Sequence, residues 1–173
     1  SESGTVKNGA YSISVDKTSV DFDVPFKGST GIATIKVTYS GDGPIAGSLP
    51  GETLDSHLGV SLVATSSTTA NLNLSVNYSF TEARTYTQRL RLVTGKEDGS
   101  KYVTKDIVIT MKQQDGFAVT AYTGDIAGLW GDTPRTAEFL IESFAKKWTV
   151  SSSFAGLTFS ADTGTGNKSI TVS

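Results

Sequence analysis

"NLNLSVNY", Asn71 to Tyr78, alternates without a break. Leu72, Leu74, Val76 and Tyr78 fall on one side, and Asn71, Asn73, Ser75 and Asn77 on the other. A period of two belongs to an extended chain whose successive side chains point to opposite faces, so one side of this strand meets a core and the other meets water. A helix would scatter the same apolar residues around its circumference. Upstream the pattern recurs. "TIKVTY" turns Ile35, Val37 and Tyr39 inward, and "YSISV" does the same with Tyr11, Ile13 and Val15. "VDFDVPF" sets Val20, Phe22, Val24 and Phe26 against Asp21 and Asp23. Pro25 has no amide to donate, which suits an edge or bulged strand. "VSLVA" precedes the opening stretch as a further strand. Downstream, "TYTQRLRLVTGKEDGSKYVTKDIVITMKQ" reads as a hairpin turning through "GKEDGS", with Leu90 and Leu92 across from Ile107, Ile109 and Met111.

The composition agrees. Val, Ile, Thr, Tyr and Phe are frequent, and these are strand formers. At 173 residues the chain suits one large domain or two small ones. The net charge is −2 with scattered basic residues, which gives no electrostatic footprint for nucleic acid. No stretch approaches the ~18 apolar residues of a membrane span. Cysteine is absent, so disulfides and thiolate metal sites are excluded.

Between the strands lie three weaker stretches. "SESGTVKNGA" opens the chain as small and polar, and residues 1–9 read as a flexible tether. "SGDGPIAGSLPGETLDSHLG", Ser40 to Gly59, reads as a solvated crossover with one helical turn at Glu52 to His57. "RTAEFLIESFAKKW" supports two readings: a helix opening at Pro134, or a strand with Ala137, Phe139 and Ile141 on one face. The predicted architecture is all-β: an immunoglobulin-like antiparallel sandwich over 10–114 and a second over 115–173.

The halves repeat one another. "VSLVATSSTTANLNLSVN" and "LTFSADTGTGNKSITVS" share the order strand, small polar turn, Asn, strand. The first half continues into its long hairpin, and the second ends at Ser173. The second sandwich is therefore expected to be incomplete, with an open sheet edge at "SITVS" through which the chain could oligomerise or accept a partner's strand.

The segment "FLIESFAKKWTVSSS…FSADTGTGNKSITVS" resembles the BACON domains of Bacteroidetes surface proteins, with a Trp opening a strand, a Gly/Asn turn and a "tV.V"-type strand. "DIVITMKQQ" is similar to the strand ending in Gln that closes those domains. The usual turn Asn is replaced around Ser143 and Phe144. The resemblance implies an immunoglobulin-like fold, an extracellular or outer-membrane-anchored location, and partners such as a glycan or another surface protein.

No chemistry-bearing motif stands out. "GTGNKS" fails as a phosphate loop, because Asn167 separates Gly166 from Lys168 and the following "SITVS" is β-branched rather than helical. It reads as a β-turn. His57 is the sole histidine; "DSH" is no triad, since triad members are seldom sequence neighbours, and no G-x-S-x-G elbow exists. The carboxylates sit in turns and on outward strand faces, without the spacing of a calcium loop. No catalytic residue, metal ligand or cofactor is expected. Aromatic residues remain as sugar-stacking candidates: Trp130 in "GLWGDTP", Tyr122 and Trp148, the last of which is expected to pack in a core. Three functions follow: a non-catalytic spacer, adhesion or glycan-contacting part of a secreted or surface-anchored bacterial protein; a carbohydrate-binding module with an exposed aromatic platform; and a pilus-like subunit completed by a partner strand.

Overall fold

A computed structural model describes residues 4–28, 31–41, 44–77, 80–95, 102–122 and 136–173. They are all-β, without helix. The chain divides into two compact units: Ser1–Val24, Gly28–Phe80 and Arg84–Gln113 form the first, and Pro25–Lys27, Thr81–Ala83 and Gln114–Ser173 the second.

The first unit holds β1 (Gly4–Asn8), β2 (Tyr11–Val15), β3 (Ser19–Val24), β4 (Ile32–Ser40), β5 (Ala46–Ser48), β6 (Leu58–Ala64), β7 (Thr69–Val76), β8 (Arg84–Gly95) and β9 (Tyr102–Gln113). Two sheets face each other, in the orders β1-β2-β4-β7-β6 and β3-β9-β8-β5. Every pair is antiparallel except β3 with β9, which run parallel from Ser19 opposite Val108 to Val24 opposite Gln113. The chain changes sheets between β2 and β3. Setting aside β1, the order is that of an immunoglobulin sandwich, with its first strand shared between the two sheets.

The alternation read from Asn71 onward sets the core. Leu72, Leu74 and Val76 are buried on β7, beside Ile35 and Val37 of β4 and Ile13 and Val15 of β2. Across the gap stand Leu90 and Leu92 of β8 and Ile107, Ile109 and Met111 of β9, with Leu90 opposite Ile107. Pro25 follows directly on β3, an edge strand, where a missing amide costs no ladder bond.

Two expectations for this unit are corrected. Residues 4–8 are not a tether. β1 pairs with β2 along its length, Thr5 Oγ1 meets Ser14 Oγ at 3.0 Å, and half-buried Val6 packs on the core. One inward residue is too few to show as a period. The Ser40–Gly59 stretch contains β5 paired to β8, and Glu52 to His57 forms no helical turn. Gln88, buried on β8, holds that segment instead, its Oε1 accepting from the Asp55 amide at 2.8 Å and its Nε2 donating to Glu52.

The second unit comprises β10 (Ala118–Ala121), β11 (Ala137–Glu142), β12 (Lys147–Thr149), β13 (Thr163–Thr165) and β14 (Lys168–Val172). The strand reading of "AEFLIE" holds. β10, β11 and β14 form one sheet and β12 pairs with β13. Residues 158–160 lie along the far side of β14, with hydrogen bonds from Thr158 N to Ser173 O (2.7 Å) and Ser160 N to Thr171 O (2.9 Å). β14 is thus flanked on both sides, and Ile170 is fully buried, so the open edge expected at "SITVS" is not found there. The sequence β10, β11, β14, 158–160 repeats β2, β4, β7, β6 of the first unit. Among the described residues nothing corresponds to β8 and β9.

This unit's core is small: Ile141, Trp148 and Ile170, with half-buried Phe139, Val150, Phe159 and Ala161 around them. Trp148 lies opposite Gly164 and donates from Nε1 to the Gly166 carbonyl at 2.9 Å. Gly166 takes φ 73°, the left-handed conformation that lets the β13–β14 turn close. "GTGNKS" is therefore a strand–turn–strand. Its Asn167 side-chain oxygen accepts from the amide of Ser143 at 2.9 Å, so the turn that lacks its own Asn receives an amide group from the neighbouring turn. Asp115 secures the same turn from the other side, accepting from Phe144 N at 3.0 Å and Ala145 N at 3.1 Å. Burial works to raise the Asp115 pKa, but the amides of Phe144, Gly116 and Ala145 together with the Lys146 charge outweigh it and hold the carboxyl below its ordinary value.

Candidate functional site

The Glu52–His57 segment brings the lone histidine to one end of the first core. Asp55 Oδ1 accepts from the His57 amide at 2.8 Å and lies 2.7 Å from its Nδ1. The imidazole lies flat on Phe80, with centroids 4.0 Å apart and planes at 8°. Tyr86 tilts against Phe80 at 4.6 Å and carries the Arg84 guanidinium over its ring at 4.2 Å. Burial pushes the Asp55 pKa up, and the backbone and ring hydrogen bonds of His57, its charge and that of Arg84 bring it below the ordinary value. The pair orients an imidazole, as a catalytic carboxylate would. Here the ring face stacks on Phe80 at one end of the core.

Of the three aromatic candidates, Trp148 is only 6% exposed and its indole covers Gly164, which leaves no face for a sugar ring. It packs with Ile141 and Ile170, in the core position expected for it. Tyr122 is 53% exposed just beyond β10. Trp130 lies outside the described residues. Buried Trp148 shares no exposed platform with Tyr122. Among the described residues no group of three His, Asp or Glu side chains is placed to hold a metal ion, and no helix is long and apolar enough to cross a membrane.

A different surface was not singled out by sequence. The outward face of the five-stranded sheet carries mostly short polar side chains, broken by Lys7, Lys36 and exposed Val63. Thr5, Ser14, Thr38 and Thr69 form one row across four strands, and Thr34, Asn73 and Ser61 another across three. Ser12 Oγ and Ser40 Oγ meet at 2.7 Å, and Thr34 Oγ1 donates to Asn73 Oδ1 at 3.0 Å. At one end, Ile32, Ser75 and Gly59 make a row. A Cβ on Gly59 would come within 2.5 Å of Ser75 Oγ, so the glycine leaves a notch. The notch opens into a shallow groove of about 380 Å³ lined by Ile32, Thr34, Ser61, Asn73 and Ser75. The alternation of β7 had marked Asn73 and Ser75 as outward. Only the register, which brings Gly59 beside them, shows the groove.

A second opening of about 290 Å³ lies between the edge strands β5 and β6 and is walled by Leu49, Leu54, Leu62, Leu72, Leu90 and Leu92. Arg91 at its rim is held in a two-pronged ion pair with Asp106, at 2.8 and 3.1 Å, which keeps the Asp106 carboxyl below its ordinary pKa.

Fold and surface together define an all-β sandwich protein with a hydroxyl- and amide-rich sheet face. No protein-family profile and no curated protein matches the chain. A solved structure described as a protein of unknown function from Porphyromonas gingivalis W83 is similar at 13% identity with a TM-score of 0.31, over 92% of this chain and 81% of that one.

Proposed function

We infer that the protein is a non-catalytic contact or spacer module of a secreted or surface-anchored bacterial protein, of the kind the BACON resemblance implies. The observation that carries the reading is the outward face of the five-stranded sheet. Its rows of Ser, Thr and Asn offer donors and acceptors at the regular spacing of a ladder, beside exposed Ile32. Hydroxyl-rich ligands such as glycans pair with such groups, and an exposed aliphatic surface accepts the C–H edges of a sugar ring.

Affinity electrophoresis in gels containing soluble polysaccharides tests this. Retarded migration that is lost in Gly59→Ala, which fills the notch, and in Asn73→Ala supports contact through this face. Retention that depends on Tyr122 instead would move binding to the aromatic reading. A hydrolytic turnover abolished by His57→Ala would overturn the non-catalytic reading altogether.

A further inference from the structure

β10 is set apart from the other strands of its unit. From Phe117 to Tyr122 it carries no charge and no proline, and among the described residues it pairs on one side only, with β11. Edge strands in native proteins are usually guarded by charge, proline or a bulge. Tyr122 N donates to Glu138 O at 3.0 Å, so the even-numbered residues of this strand bond to β11. The amides and carbonyls of Val119 and Ala121 therefore face the side on which no described residue pairs with β10. The inward side chains are also uncovered: Phe117 is 49% and Val119 57% exposed. The equivalent strand of the first unit, β2, buries Tyr11, Ile13 and Val15 and has β1 on its edge.

We propose that β10 pairs antiparallel with β10 of a second copy of this chain across a two-fold axis at Val119. This register keeps the inward side chains of both copies on one face and uses the whole strand. Val119 meets its own counterpart through a reciprocal pair of backbone hydrogen bonds. Phe117 stands opposite Ala121 of the second copy, large against small, so both ends of the ladder fill without a clash. A two-fold contact must be self-complementary in this way. No charge on the strand opposes the approach.

The area sets the strength. With Phe117, Val119 and Tyr122 each about half exposed, and aromatic side chains offering ~150–250 Å² apiece, each copy contributes on the order of 300 Å². The total of roughly 600 Å² is well short of the ~1,200–2,000 Å² of stable complexes. The dimer is therefore weak and transient, with a dissociation constant on the order of 0.1–1 mM.

Sedimentation of the full chain at concentrations bracketing that value tests the pairing. The mean mass should rise towards that of a dimer. The Val119 and Ala121 amides should gain exchange protection with concentration, while that of Thr120, already bonded to β11, should not. Val119→Lys places a charge on the edge. Val119→Pro removes the amide that faces it, at a position where the ladder to β11 loses nothing. Both should stay monomeric at every concentration, whereas Val63→Lys on the outward face of β6 should associate as the parent does. A strictly monomeric parent, or association that survives both Val119 variants, overturns the proposal. If Val119→Pro disturbs the circular dichroism of the fold, Val119→Lys decides.

Discussion

Replacing Gly164 with alanine isolates the contact on which the second unit's core rests. A Cβ at Gly164 would lie 2.2 Å from Cζ2, 2.6 Å from Cη2 and 2.8 Å from Cε2 of Trp148. Gly164 does not occupy the left-handed region, so alanine strains no backbone there and the penalty is steric alone. The indole has little room to retreat, because its Nε1 is bonded to Gly166 O and its body is packed with Ile141 and Ile170. A ring that shifts within the core costs ~1–3 kcal/mol as overpacking. A ring that is expelled forfeits most of the ~3–5 kcal/mol of a buried aromatic. Gly164→Ala should therefore destabilise this unit by about 2–4 kcal/mol. Urea unfolding followed by tryptophan fluorescence measures the loss, and a red-shifted native emission would mark expulsion. Gly47→Ala, where no atom lies within 4 Å of the new methyl group, is the control and should change stability by less than about 0.5 kcal/mol. In a Trp148→Phe background the clashing atoms are gone, so the same alanine should cost markedly less, a coupling that a double-mutant cycle followed by circular dichroism reads directly. Equal cost in both backgrounds, or none in either, would refute the reasoning.

The remaining predictions concern acid, core and exchange. Asp55, Asp106 and Asp115 all titrate below the ordinary 3.8 in the folded chain, so their stabilisation is complete above that value and is lost as pH falls through their lowered values. Melting temperature should fall steeply below about pH 4, and Asp115→Asn, which keeps an acceptor for the 144–145 amides, should flatten that acid limb for the second unit. Leu74→Ala removes a buried side chain of β7 and should cost about 2–5 kcal/mol in chemical denaturation of the first unit; a loss under 1 kcal/mol would contradict the close packing of the two sheets. Amides of β11 should exchange faster than those of β4 and β7, because a three-residue buried cluster covers the former and the large sandwich core covers the latter. Equal protection in the two units would contradict it.

Much of the fold was legible because each sandwich strand buries one face, which writes itself as a period of two. β2, β3, β4, β7, β8 and β9 all carry that signature, and Leu72, Ile35 and Ile109 are as buried as it requires. What escaped has no local signature. β1 has one inward residue, Val6, and owes its place to pairing with β2. β5 is three small residues held by β8, and the segment after it takes its course from Gln88, more than thirty positions away. The parallel union of β3 and β9 joins residues 89 apart in sequence, and no periodicity reports a partner at that distance. The candidate site was less legible still. Of the aromatic candidates, Trp148 packs in the core, as a Trp opening a sandwich strand does. The polar groove depends on Gly59 lying beside Ser75, a matter of register alone.

The parallel union of β3 and β9 also decides how the first unit answers a mechanical load. A pull on the chain before Ser19 and after Gln113 drags these two strands in opposite directions along their own length. In a parallel pair the bonds are evenly spaced and slanted along the strands, so they are sheared together and share the force rather than opening one after another. Antiparallel neighbours joined by a turn, such as β6 and β7, can instead be peeled apart from one end, bond by bond. Under a load applied at Ser19 and Gln113, the first unit is therefore toughest along its β3–β9 seam.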